Sequence, residues 1–164
     1  MELAGYTVKE LYLAAMRSEI DARAVYRGLA GRIKNAYLRD RLLFLAGEEE
    51  KHRRHLMGLY KREFGRGRVA VPASTPVPLP KMKPPERGTP VSEVIEAAME
   101  AERAAMDFYT SFAARFERGS EQARALSYLA QMELGHYKLL ETERELMVRE
   151  EWFDTEWPMM HVGP

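Results

Sequence analysis

Two residues in the stretch LAGEEEKHRRHL, residues 45–56, have no place in an ordinary apolar core: Glu49 and His52. They are three positions apart, which sets both on one helix face, a turn from each other. That face is otherwise leucine, from Leu38, Leu42 and Leu45 to Leu56 and Leu59. An isolated buried ion forfeits on the order of 20 kcal/mol of idealised solvation, so a carboxylate and an imidazole aimed at a core need compensation. The same pair recurs as Glu133 and His136 in LAQMELGHYKLL, on a stripe of Leu126, Leu129, Leu140, Glu143 and Met147. Two further glutamates stand alone on apolar stripes. Glu19 sits among Val8, Leu11, Ala15, Ala22, Tyr26, Leu29 and Ile33. Glu102 sits among Val91, Ile95, Ala98, Ala105, Tyr109, Phe112 and Phe116. Four carboxylates and two imidazoles brought together would be neutralised by two divalent cations. Oxygen and nitrogen donors without sulfur suit iron or manganese, and less specifically zinc. Glu-x-x-His gives one metal both an oxygen and a nitrogen from a single helix, and glutamates from the partner helices can bridge the two ions.

Four helices must position these residues. Thr7 and Glu10 form a capping box, flanked by Tyr6 and Leu11 where a hydrophobic staple would sit, and a first helix is predicted from about residue 8 to about residue 34. Asn35 is the predicted cap of a second helix, from about residue 36 to about residue 64, which Gly65 and Gly67 end. Residues 65–90 hold seven of the nine prolines. Proline has no amide donor and disfavours helix before it, so this is extended chain, and at roughly 3.1 Å per residue it can span the length of a helix. Thr89 is predicted to cap a third helix with Pro90 at its first position, and Gly119 to close it. Ser120 is the predicted cap of a fourth helix that frays near Glu150. The aromatic and methionine-rich tail, residues 151–164, is expected to pack on the bundle or on a second subunit.

The chain also repeats itself. MRSEIDARAVY, residues 16–26, lies over MEAERAAMDFY, residues 99–109, so that Glu19 falls on Glu102 and Tyr26 on Tyr109 at an offset of 83. LAGEEEKHRRHL lies over LAQMELGHYKLL with Glu49 on Glu133 and His52 on His136 at an offset of 84. The expectation is one all-α domain: a hairpin over about 7–64, a proline-rich crossover over 65–90 and a second hairpin over about 90–150. Neither hairpin can bury its stripe alone, and two together make a four-helix bundle. Whether the hairpins pair within one chain or swap between two is open at this stage.

Bulk properties narrow the function classes. A length of 164 residues suits one domain with a full core. Equal numbers of basic and acidic residues, 25 of each, argue against nucleic acid or an anionic membrane as the main partner. The absence of cysteine excludes disulfides, zinc ribbons, thiolate-bound iron and thiol catalysis. No apolar run reaches membrane-spanning length, and MELAGYTVKEL lacks the basic and apolar regions of a secretory signal, so a cytoplasmic protein is the expectation.

On SEIDARAVY, EEEKHRRHL, EAERAAMDFY and MELGHYKLL, the chain resembles the ferritin-like superfamily and, within it, the rubrerythrin family, over about residues 6–148. The resemblance implies a ferritin-like bundle holding two irons. Glu49 and His52 would be ligands of one iron, Glu133 and His136 of the other, with Glu19 and Glu102 the remaining carboxylates. Tyr26 and Tyr109 would be hydrogen-bond donors to ligand carboxylates; as residues alone they could simply be core aromatics, but their matched position two turns after each glutamate favours the hydrogen bond. The implied activity is that of a non-haem diiron oxidoreductase of oxidative stress, reducing hydrogen peroxide or dioxygen with electrons from an external donor, rubredoxin-like or a flavin reductase. A homodimer is the expected assembly. Rubrerythrins proper carry a further glutamate three residues after the third-helix ligand, where this chain has Ala105. They also carry a rubredoxin-like iron–tetracysteine domain, so here the electrons must come from a separate protein.

Other residues receive plainer readings. Glu48, Glu50 and Lys51 are expected on the solvated face, and Glu143 is a structural residue near a wet bundle end. His55 is expected to face solvent or lie beside the site without binding metal, and His161 is incidental. The same six donors would also serve a ferroxidase or iron-storage subunit, a bundle with purely structural metals, or a manganese site with catalase-like chemistry.

Overall fold

The computed structural model describes residues 2–77, 79 and 90–156, with side chains in the last helix as far as residue 147. The described residues form four helices and no strand: α1 Val8–Ala30, α2 Ala36–Phe64, α3 Val91–Ala113 and α4 Glu121–Glu156. The capping box is present. The Glu10 amide donates to Thr7 Oγ1 at 3.2 Å and the Thr7 amide donates to Glu10 Oε2 at 2.8 Å. Asn35 caps α2 by accepting from the Leu38 amide at 3.1 Å. Gly65 ends α2 at φ 96°, a conformation that costs glycine little because it has no Cβ.

Helix ends differ from expectation at four places, each for a local reason. α1 stops at Ala30 rather than near residue 34, because reversing direction into α2 takes residues 31–34 out of the helix. α3 stops at Ala113, well before Gly119. There the amides of Arg115 and Phe116 donate three residues back, to Phe112 and Ala113, and tighten the chain into a turn. The Arg115 guanidinium then ties that turn to the carbonyls of Leu3 and Tyr6. Gly119 keeps a terminating role at φ 85°, and Ser120 caps α4 by accepting from the Ala123 amide at 3.2 Å. Pro90 is itself the cap of α3 rather than its first helical residue, with extended ψ of 141°, and it makes no side-chain cap bond; Thr89 lies outside the described residues. α4 continues through residues 151–156, past the fraying expected near Glu150, whereas residues 157–164 of the tail lie outside the described residues.

α1 packs on α2 and α3 on α4, giving the two expected hairpins, and they pair within one chain. The buried apolar side chains form two clusters. One gathers Tyr12, Met16, Leu56, Leu59, Phe108, Phe112, Leu126 and Leu129. The other gathers Tyr26, Leu29, Leu42, Leu45, Ile95, Ala98 and Leu140. Along every helix the chain passes from one cluster to the other, and the residues at the passage are Glu19, Glu49 with His52, Glu102, and Glu133 with His136. The polar residues therefore form a layer between two dry caps. This order also makes α1 antiparallel to α3, so the chain between α2 and α3 must run the length of the bundle. On the way Val69, Val71, Val77 and Leu79 pack against the first cluster.

Candidate metal centre

The six residues selected by stripe and repeat converge. Each is at most 3% exposed, and they come from all four helices. The imidazoles of His52 and His136 stack with centroids 5.2 Å apart and planes 17° from parallel. Glu49 and Glu133 lie between them, each turning one oxygen to each ring. His52 Nδ1 is 3.3 Å from Glu49 Oε2 and 3.0 Å from Glu133 Oε1. His136 Nδ1 is 3.3 Å from Glu49 Oε1 and 3.1 Å from Glu133 Oε2. Glu19 and Glu102 stand outside, each beside one ring: Glu19 Oε2 is 3.7 Å from His52 Nδ1 and Glu102 Oε2 is 3.6 Å from His136 Nδ1. The position between the two halves thus belongs to Glu49 and Glu133, not to Glu19 and Glu102 as spacing within single helices suggested.

The other oxygen of each outer carboxylate is tied across the bundle. Tyr26 of the first hairpin donates to Glu102 Oε1 of the second, and Tyr109 of the second donates to Glu19 Oε1 of the first. Both phenols are held well above the usual tyrosine range, by burial first and then by the facing carboxylates, so they remain donors. Burial and the charges of Glu49 and Glu133 push the carboxyls of Glu19 and Glu102 well up. For Glu49 and Glu133 burial again acts upward, but the histidines outweigh it and hold both carboxyls down. Burial acts downward on the imidazoles, and the surrounding carboxylates outweigh it: His52 is raised, and His136 is raised to about 12. Free of metal, the cluster therefore favours protons on the outer carboxyls and the imidazoles over protons on Glu49 and Glu133.

Hydrogen bonding does not account for this arrangement. Each Nδ1 has three carboxylate oxygens around it, although a single N–H serves one acceptor well. Among the described residues, Glu49 Oε1, both oxygens of Glu133 and both nitrogens of each histidine are buried without a well-formed hydrogen bond. Native proteins seldom leave such groups unpaired, because an unsatisfied buried polar atom costs about 1–3 kcal/mol. Donor atoms from Glu49, His52, Glu133 and His136 lie within 4.8 Å of one another. Two donors bound at about 2.1 Å to one metal and at right angles lie about 3.0 Å apart, the spacing of the shortest contacts here. The residues present fit a metal site.

On the side away from the histidines the cluster opens to a cavity of about 40 Å³. Its floor is Glu19, Glu49, Glu102 and Glu133; Ala14, Ser18 and Ala22 of α1 and Ala101 and Ala105 of α3 form its walls. Thr75, Val77 and Leu79 of the crossover cover it, and the Arg17–Asp21 ion pair stands on its rim. Sequence reasoning did not place the crossover over the site. Alternation of Val69 with Val71 and of Val77 with Leu79 was the available signal, since residues two apart in extended chain share a side.

Three plainer expectations change. Glu48 is buried at 8% exposure and paired with Lys51, and Glu50 is half-buried among Arg23, Arg53 and Arg54. The buried arc of α2 is wider than a single stripe because that helix faces both α1 and α4. Glu143 is buried rather than wet, beside Arg41 at 3.7 Å, and burial raises its carboxyl. His55 is exposed, as one of the two expected placements had it, and His161 lies outside the described residues.

Fold and site together define a ferritin-like four-helix bundle with a carboxylate–histidine centre. The rubrerythrin family model matches residues 10–144, and the chain belongs to that family. A solved structure of a hypothetical protein from Pyrococcus furiosus is 34% identical, covering 90% of this chain and 94% of its own, with a TM-score of 0.78. No curated protein matches. Among the described residues no helix is long and apolar enough to cross a membrane.

Proposed function

We propose that this chain is a rubrerythrin-type peroxide reductase whose centre is a pair of irons held by Glu19, Glu49, His52, Glu102, Glu133 and His136. The observation that carries the reading is the twofold set of buried donors without hydrogen-bond partners, opening onto a cavity of small-molecule size. Glu49 and Glu133 each offer one oxygen to either half and would bridge, while Glu19 with His52 and Glu102 with His136 would complete the two halves. When bound, the metal pair supplies two electrons to one O–O bond. Hydrogen peroxide then takes up two electrons and two protons and leaves as two waters, and an external carrier returns the electrons. The protein's part is to fix the donors, keep bulk water out between two apolar clusters, and hold the outer carboxylates. Tyr26 and Tyr109 fix one oxygen of Glu102 and Glu19, which leaves the other facing the centre.

The test is anaerobic iron loading followed by rapid mixing with peroxide. The reading expects two irons per chain, both oxidised by one equivalent of peroxide, and no growing mineral core under excess iron. Turnover that accumulates mineral would make the chain an iron-storage protein instead, and two irons inert to peroxide would refute the reductase.

A further inference from the structure

Peroxide reduction at a buried centre requires a way in, and the cavity on the carboxylate side supplies one. We propose that this cavity is the oxidant's access port, and that Val77 together with Ala22 and Ala105 sets its bore so that hydrogen peroxide passes and organic hydroperoxides do not. The inference rests on the peroxide reading above and adds the entry route and the exclusion of organic hydroperoxides.

Size is the first argument. A volume of about 40 Å³ stands against roughly 10–15 Å³ for one enclosed water, so the port holds about three water-sized atoms. Hydrogen peroxide has two heavy atoms in a line, whereas tert-butyl hydroperoxide carries a branched carbon as broad as an isobutyl side chain. Polarity is the second. Buried oxygens of Glu49 and Glu133 without hydrogen-bond partners line the cavity, and neither histidine does, so an arriving molecule meets the carboxylate side. The third is construction. Ala22 and Ala105 stand three residues beyond Glu19 and Glu102, on matched positions of the repeat, and both line the cavity. Any longer side chain at either would grow into the port. The cover is held in place as well: Val77 is 4% exposed, and the Leu79 amide donates to its carbonyl at 2.9 Å. Pro76 fixes the backbone just before it.

The test uses the full chain loaded with two irons, in two arms. In the first, the ferrous protein is mixed with hydrogen peroxide or tert-butyl hydroperoxide. Wild type should react with the small oxidant about 100-fold faster or more, and Val77→Ala should raise the ratio of the tert-butyl hydroperoxide rate to the peroxide rate about tenfold. In the second, azide is mixed rapidly with the ferric protein and the growth of its absorption band followed, which needs no turnover. Ala22→Leu and Ala105→Leu should slow azide association about tenfold or more with metal content and melting temperature retained. An unchanged oxidant ratio in Val77→Ala, or a wild-type azide association rate in both leucine variants, overturns the port. If Val77→Ala detaches the crossover and unfolds, the leucine variants decide. A wild-type ferrous protein inert to both hydroperoxides defeats the peroxide reading alone, and the azide arm still settles whether the cavity is the way in.

Discussion

Loading the metal-free protein with two divalent ions at neutral pH should release about four protons, because ligands must bind deprotonated. The count comes from four named groups. The carboxylates around His52 and His136 push both imidazoles up, and burial beside the charges of Glu49 and Glu133 pushes the carboxyls of Glu19 and Glu102 up, so all four favour the protonated form. Each proton displaced adds one unit to the slope of log affinity against pH, so the overall constant for two metals should rise about 10⁴-fold per pH unit. Titration calorimetry with manganese(II), repeated in buffers of different ionisation enthalpy, reads the number directly from the buffer dependence of the heat. Fewer than about two protons released would mean that burial and neighbouring charge do not raise these four groups, and the electrostatic account of the site would fall.

Other outcomes follow from the same geometry. Glu49→Ala or Glu133→Ala should empty both halves of the site, Glu19→Ala should leave about one metal per chain, and Glu48→Ala should retain both; elemental analysis after gel filtration checks this. Tyr26→Phe should weaken metal binding roughly 10–100-fold, measured by competition with a chelator, because Glu102 loses the donor that fixes it. In the metal-free protein the raised histidines contribute stability that is fully present below their usual 6.5 and lost as pH rises toward the folded values, about 12 for His136. Its urea midpoint should therefore fall from pH 6.5 upward, while that of the metal-loaded protein, already without those protons, should stay nearly level. Tyr12→Phe should leave stability unchanged or raise it by about 1 kcal/mol in urea melts, because the Tyr12 hydroxyl is buried without a partner among the described residues.

What could be read from the sequence was whatever a single helix records about itself. The three-residue step from Glu49 to His52, and its copy at Glu133 and His136, is a property of one helix face, and the offset of 83 or 84 linked the faces. The capping box at Thr7 and the Asn35 cap are equally local and stand as read. Relations between helices were not written in any one stretch. That Glu49 and Glu133, rather than Glu19 and Glu102, lie between the two imidazoles depends on how α2 and α4 face each other. Glu48 was misplaced for the same reason, since its burial comes from the width of the arc that α2 presents to two neighbours. The stripe of α3 ran on through Phe116, which does pack on the core, but from a turn and not from the helix. Proline content showed that residues 65–90 could span the bundle, and said nothing of which side they would cover.

The central claim is that six buried side chains from four helices hold two metals. Anomalous diffraction from crystals of the iron-loaded protein tests it most directly. The account predicts two iron peaks per chain, one beside His52 and Glu19 and the other beside His136 and Glu102, with Glu49 and Glu133 reaching both. A single peak, or iron bound elsewhere while these six residues stay metal-free, would contradict it.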